Sequence, residues 1–167
     1  MLAANECGAV RLSKHESFMA AVVGVTRHVA SQEYDTSSRQ HGRDYGWHSD
    51  IEGACAELAV AKYLGIFWDG SINTFKAPDV GAFQVRHTQH LAGHLILKEN
   101  DSEDGCFVLV TGTNPRFIIR GYIFARDGMQ DKYRREHIGE GVNGDARPFS
   151  GWWIPQADLS PADGLKL

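Results

Sequence analysis

Residues 78–86 read PDVGAFQVR, and upstream of them a glutamate, Glu57, stands inside an apolar run. The nonapeptide places an acid, Asp79, before a tight Val80-Gly81 bend, then an amide, Gln84, and a guanidinium, Arg86, alternating with Phe83 and Val85. Strand alternation over 83–88 puts Gln84, Arg86 and Thr88 on one face and Phe83, Val85 and His87 on the other. If Asp79 ends the neighbouring strand, its carboxylate and Gln84 converge across the short bend. With Glu57 added, two carboxylates, an amide oxygen and a backbone carbonyl form a hard oxygen set suited to Mg²⁺ or Mn²⁺. Such a cation polarises a phosphoryl oxygen and lowers the pKa of bound water, and a neighbouring positive charge holds the phosphate.

The elements that must position these residues are legible in outline. Phe18, Ala21, Val22, Val25 and Val29 have the spacing of an amphipathic helix over 14–31, with Ser13 and Glu16 as a capping box. Residues 32–48 are polar and aperiodic and read as a loop, long enough to suggest a functional segment. A second helix, Ile51 to Leu64, opens on a Ser49–Glu52 capping box and stops at Gly65. It is apolar or small nearly all round, as buried helices are, so an ionised Glu57 in its middle is costly unless a cation or donors meet it. Strands are expected near 71–77, 83–88, 94–98, 107–111 and 117–125, a short helix near 130–137, and a last strand in FSGWWIPQADLSP. Helix first and then mostly strands predicts an α/β (α+β) domain.

The order of a helical Glu57, then Pro78-Asp79, then a strand carrying Gln84-x-Arg86 resembles the PD-(D/E)XK phosphodiesterase superfamily, the restriction-endonuclease-like fold. The resemblance spans residues 49–125 and extends to small nuclease-like proteins of phages and mobile elements. It implies a central mixed sheet flanked by helices, with an N-terminal extension over 1–48 and a C-terminal one over 126–167. It further implies a DNA nuclease, with Glu57, Asp79, Gln84 and the carbonyl of Val85 holding Mg²⁺ or Mn²⁺. Gln84 stands where a second acid is usual; some members use glutamine. Arg86 stands where lysine is usual: it cannot act as a base but can clamp a phosphate. Lys98, on the next expected strand, is a candidate for a displaced ammonium.

Other signals are weaker. His87, His90 and His94 in HTQHLAGH could bind zinc if helical, but Gly93 argues for a turn, which leaves His87 and His90 as candidates to contact nucleic acid. Lys132, Arg134 and Arg135 around Tyr133 are a candidate phosphate-contacting patch, although Asp131 and Glu136 balance them. Tyr34, Arg39, Arg43, Tyr45 and Trp47 interleave aromatic and basic groups and could cover a groove. Trp152 and Trp153 cannot both face inward from one strand.

A net charge of −4 counts against a non-specific nucleic-acid coat protein, though not against an enzyme with a local patch. Three scattered cysteines argue against a disulfide framework or thiolate zinc site and fit a cytoplasmic setting. Neither a membrane span nor a secretory leader is expected. Phosphate-loop, dinucleotide and nucleophile-elbow motifs are missing from the sequence. Duplex cutters often carry two sites, so a homodimer is one expectation, although no interface signature is legible. Two readings compete with a nuclease: Glu57 simply paired with a buried arginine, and the same fold acting without catalysis as a DNA-binding or protein-interaction module.

Overall fold

The structure, a computed structural model, describes residues 8–32, 46–72, 77–140 and 146–166. The chain is mixed α+β. Its elements in order are β1 (Ala9–Arg11), α1 (Lys14–Gln32), α2 (Gly46–Leu64), β2 (Phe83–Thr88), β3 (Leu95–Lys98), β4 (Cys106–Thr113), β5 (Arg116–Phe124), a four-residue helix α3 (Ala125–Gly128), β6 (Arg134–Glu140) and β7 (Ala146–Ile154). No described helix is long and apolar enough to cross a membrane.

The strands form two sheets. The first has the order β1-β5-β4-β2 and is mixed: β2 runs parallel to β4, while β4–β5 and β5–β1 are antiparallel. The second, β3-β7-β6, is antiparallel throughout. A parallel neighbour requires a crossover, and the chain makes it by leaving β2, contributing β3 to the second sheet and returning as β4.

Alternation along β4 explains how the mixed sheet is covered on both faces. Val108 and Val110 pack with α2, β1 and Phe83, whereas Phe107 and Leu109 pack with Leu95, Leu97 and Ile154 of the second sheet. The mixed sheet is thus the middle of three layers, with helices on one face and a sheet on the other. Of the sheet flanked by helices expected from sequence, the described residues show helices on one face, while β3, β6 and β7 cover the other.

Both helix ends follow from local chemistry. Ser13 N–H donates to Glu16 Oε2 at 2.6 Å and Glu16 N–H to Ser13 Oγ at 3.2 Å, the reciprocal pair expected from sequence. Lys62 Nζ also reaches Glu16 Oε2 at 2.7 Å, tying the start of α1 to the end of α2. The Lys62 bond, with Ser13's help, lowers the Glu16 pKa to about 2. Helix α2 stops in a Schellman turn: Ile66 N–H bonds Ala61 O at 3.0 Å, Gly65 N–H approaches Lys62 O at 3.3 Å, and Gly65 sits at φ 68°.

Several local expectations change. Helix α2 begins at Gly46, so Ser49 lies inside the helix and forms no cap; buried Glu52 accepts the Asn114 N–H at 2.9 Å instead. The segment expected as a helix near 130–137 is a single 3₁₀ turn, Asp131–Tyr133, followed by β6. Of the strand expected at 71–77, residues 73–76 lie outside the described residues, and the flanking ones are not extended in a sheet. Tyr34, Arg39, Arg43 and Tyr45 also lie outside them, while Trp47 belongs to α2 and stacks near His28 at 4.2 Å.

The apolar stripe of α1 faces the wrong way for a core. Phe18, Val22, Val25 and Val29 are exposed, and the face against α2 carries Ala20, Gly24, Arg27 and Ser31. The helices pack backbone to backbone: a Cβ on Gly24 would stand 2.6 Å from Ile51 Cα and 2.7 Å from the Asp50 carbonyl oxygen. Close approach selects small residues over large ones. Gly24→Ala is expected to destabilise the fold by about 1–3 kcal/mol through overpacking, read as a lower urea midpoint; Val22→Ser, exposed, should shift it by less than about 0.5 kcal/mol.

Candidate active site

Glu57 is buried in the middle of α2, among alanines and Cys55. Its carboxylate is met by a guanidinium from the neighbouring helix. Arg27 Nη1 lies 2.6 Å from Oε1 and Arg27 Nη2 2.9 Å from Oε2, a two-pronged ion pair, while Arg27 Nε–H is held by the Ser71 carbonyl at 2.9 Å. The Trp68 indole N–H adds a third donor to Oε2 at 3.2 Å. Burial pushes the Glu57 carboxyl above its ordinary value, and Asp79 adds repulsion; the Arg27 and Trp68 bonds pull the other way. Asp79 therefore shares the electrostatic field of Glu57.

The tight bend explains how Asp79 arrives there. Gly81, at φ 58°, takes the first central position of a two-residue turn, and the Phe83 carbonyl accepts both Asp79 N–H at 2.9 Å and Val80 N–H at 3.1 Å. The chain folds back so that Asp79 Oδ2 accepts the Val85 N–H at 2.7 Å. Residues 83 and 85 both direct their N–H groups away from β4, along the open edge of the sheet. In an extended strand a residue's C=O points to the same side as its N–H, so the Val85 carbonyl lies on this edge too. Burial pushes the Asp79 carboxyl up, against the Val85 bond and the charges of Arg86 and Arg27.

Gln84, on the same face of β2 as Arg86, donates from Nε2 to the Ala77 carbonyl at 3.2 Å. Arg86 does not face the acid pair. It lies on the face of the mixed sheet opposite Phe83 and Val85, where Nη2 meets both Asp101 oxygens at 2.7 and 2.8 Å and the guanidinium stacks over Phe107 at 4.8 Å. Its Nε–H is buried with no acceptor among the described residues. Asp101 also accepts the Lys98 N–H at 2.8 Å. Lys98, on the next strand in sequence as expected, sits in the second sheet with an exposed side chain, its strand pairing with β7.

The other candidates are spread out. His87 bonds the Gly112 carbonyl at 2.8 Å and meets the edge of Phe117, while His90 and His94 are exposed in the turn after β2. Lys132 rests on the Tyr133 ring at 4.5 Å; Arg134 pairs with Glu99 at 3.0 Å and lies over Trp152, which packs on the core between the two sheets. Arg135 is exposed on β6. Among the described residues no group of three His, Cys, Asp or Glu side chains is placed to hold a metal ion.

A divalent cation here would depend on oxygen donors of several kinds. A carboxylate offers about four lone-pair sites. Arg27 and Trp68 take three on Glu57, which leaves one on Oε1, and Val85 takes one on Asp79. The remaining lone pairs and the Val85 carbonyl are hard oxygen donors; Gln84, which shares the Arg86 face of β2, would have to leave the Ala77 carbonyl and turn to the edge to join them. Two carboxylates held above their ordinary pKa bind protons in competition with such an ion. Divalent-cation affinity is therefore expected to fall on acidification at a pH above the usual carboxylate range of about 4, read by calorimetric Mn²⁺ titration at stepped pH.

The reading of Glu57 as paired with an arginine holds, Arg27 being that residue, but sequence reasoning did not place it and missed Trp68. The signal for Arg27 was indirect: a buried glutamate demands a cation, but nothing in the spacing says which helix supplies it. No family model, curated protein or solved structure matches the chain.

Proposed function

We propose that the chain is a metal-dependent nuclease-like protein that hydrolyses phosphodiester bonds of DNA, built on a restriction-endonuclease-like core. One observation carries this reading: a buried carboxylate on α2, Glu57, and a half-buried one, Asp79, beside the open edge of β2 lie close enough for the charge of Asp79 to act on Glu57, although burial disfavours the ionised form of each. A fold that needed only stability would fill such a place with apolar groups.

Asp79, Glu57, Gln84 and the Val85 carbonyl would hold Mg²⁺ or Mn²⁺, which when bound supplies Lewis acidity and an activated water. The protein's own contribution is positional. Val85 N–H fixes the Asp79 rotamer, and Arg27 with Trp68 fixes Glu57, so neither acid has to reorganise during the reaction. Arg86 supports the edge from the far face, and its charge lowers the Asp79 pKa. It reaches a phosphate only by exchanging Asp101 for it.

A second reading has its own support. Arg27 bonds both Glu57 oxygens, and Arg86 is committed to Asp101, which suits a fold that has given up catalysis for binding DNA or a protein. Strand cleavage separates the two. Supercoiled, linear and single-stranded DNA are incubated with wild-type protein in Mg²⁺ and Mn²⁺, beside Asp79→Asn. Cleavage that vanishes in the folded variant supports hydrolysis; intact DNA in every lane with wild type favours the second reading.

A further inference from the structure

Beside the acid pair lies a cleft of about 270 Å³ lined by Phe67, Trp68, Asp69, Pro78, Asp79, Val80 and Gly81. Two of its walls are aromatic, and they do different things. Trp68 turns its indole N–H to Glu57, so its ring belongs to the site. Phe67 is 88% exposed, the most exposed of the large apolar side chains described. It follows directly on the Schellman turn of α2, which holds the backbone of the wall in place. Asp69, also in the lining, accepts the Ser71 N–H at 3.1 Å.

From this geometry, and resting on the reading of Glu57 and Asp79 as a hydrolytic pair, we infer that the cleft is a stacking subsite for an unpaired base of the DNA strand being cut. A cleft of about 270 Å³ has room for a nucleobase, and the exposed Phe67 ring is free to stack on one. Stacking on aromatic side chains is the general way proteins hold single-stranded nucleic acid irrespective of sequence. The anionic wall does not attract the phosphates by itself, so the base supplies the attraction and the cation neutralises the backbone. A base inside a duplex shows no free face, so the favoured substrate is single-stranded, or has a nucleotide extruded next to the scissile phosphate.

The test compares binding with cleavage on the same proteins. Anisotropy of a labelled oligothymidylate, the same backbone made abasic, and a hairpin duplex is measured with Ca²⁺ as the cation, for wild type, Phe67→Ala and Phe67→Tyr. Thermal unfolding checks that the exposed substitutions leave the fold intact. Wild type should bind the oligothymidylate about tenfold tighter than the abasic strand or the duplex. Phe67→Ala should erase that advantage while leaving duplex binding unchanged, and Phe67→Tyr should keep it. Equal binding of the oligothymidylate and the abasic backbone, or no effect of Phe67→Ala, overturns the subsite. Strand cleavage in Mg²⁺ keeps the two claims separate. Base-dependent binding without cleavage preserves the subsite and removes the hydrolytic pair, whereas cleavage indifferent to Phe67→Ala does the reverse.

Discussion

Arg27→Ala is expected to destabilise the protein by about 3–5 kcal/mol, because it leaves the Glu57 carboxylate buried without its counter-ion. The side chains are 23% and 10% exposed, so solvent cannot replace the guanidinium well. Two N–H bonds to Glu57 and one to the Ser71 carbonyl are lost together. The deficit should depend on pH. Burial already raises the Glu57 carboxyl above its ordinary value of 4.5, and loss of Arg27 raises it further. Between the unfolded value and that raised value the native state binds more protons than the unfolded one, so stability falls as pH rises. The penalty should therefore be largest near neutrality and shrink as the pH falls towards about 4.5. Urea unfolding at stepped pH measures this directly. Arg27→Met combined with Glu57→Met should recover most of the loss, since well-packed apolar pairs often replace buried ion pairs without penalty. A double variant as unstable as the single one would contradict the ion-pair account.

The largest functional effect is expected at Asp79. Asp79→Asn keeps an oxygen to accept the Val85 N–H and nearly the same volume, so the turn at Gly81 and the edge of β2 should survive. What it removes is the charge. A cation that stabilises developing phosphoryl charge contributes several kcal/mol, so losing its anchor should reduce cleavage on the order of 10³-fold, with little change in unfolding midpoint. Asp79→Ala would remove both charge and acceptor, and comparing the two separates the ligand from the strut. A loss of cleavage by Asp79→Ala alone, with Asp79→Asn active, would make Asp79 a structural residue only.

Much of the site could be read from residue types, because the costs involved are local. Glu57 was identifiable because nothing else in the Ala-Cys-Ala-Leu run around it tolerates a charge, and Asp79 because a two-residue bend leaves an acid close to the following strand. The start of α1 and the end of α2 were legible, because a side chain or a glycine terminates the hydrogen-bond ladder there, at Ser13 and Gly65. The failures share a cause: alternation says which face a side chain takes, not what covers that face. Arg86 points where the pattern puts it, yet that face meets the second sheet and Asp101 rather than the acid pair. The β3 segment reads as a strand but gives no sign that it pairs with β7, fifty residues on, instead of β2. In α1 the large apolar residues mark the exposed stripe, because backbone contact at Gly24 leaves no room for them on the other side. Ser49 and Glu52 have the spacing of a cap, but α2 has already begun a turn earlier.

The central claim is that the acid pair at the open edge of β2 holds a divalent cation. Calorimetric titration of Mn²⁺ into wild type, Asp79→Asn and Glu57→Gln, at neutral pH and again below pH about 5, tests it most directly. Saturable binding by wild type that is lost in Asp79→Asn, weakened in Glu57→Gln and released by acid is the predicted result. Wild type that binds no Mn²⁺, or binds it equally after both substitutions, would contradict the account.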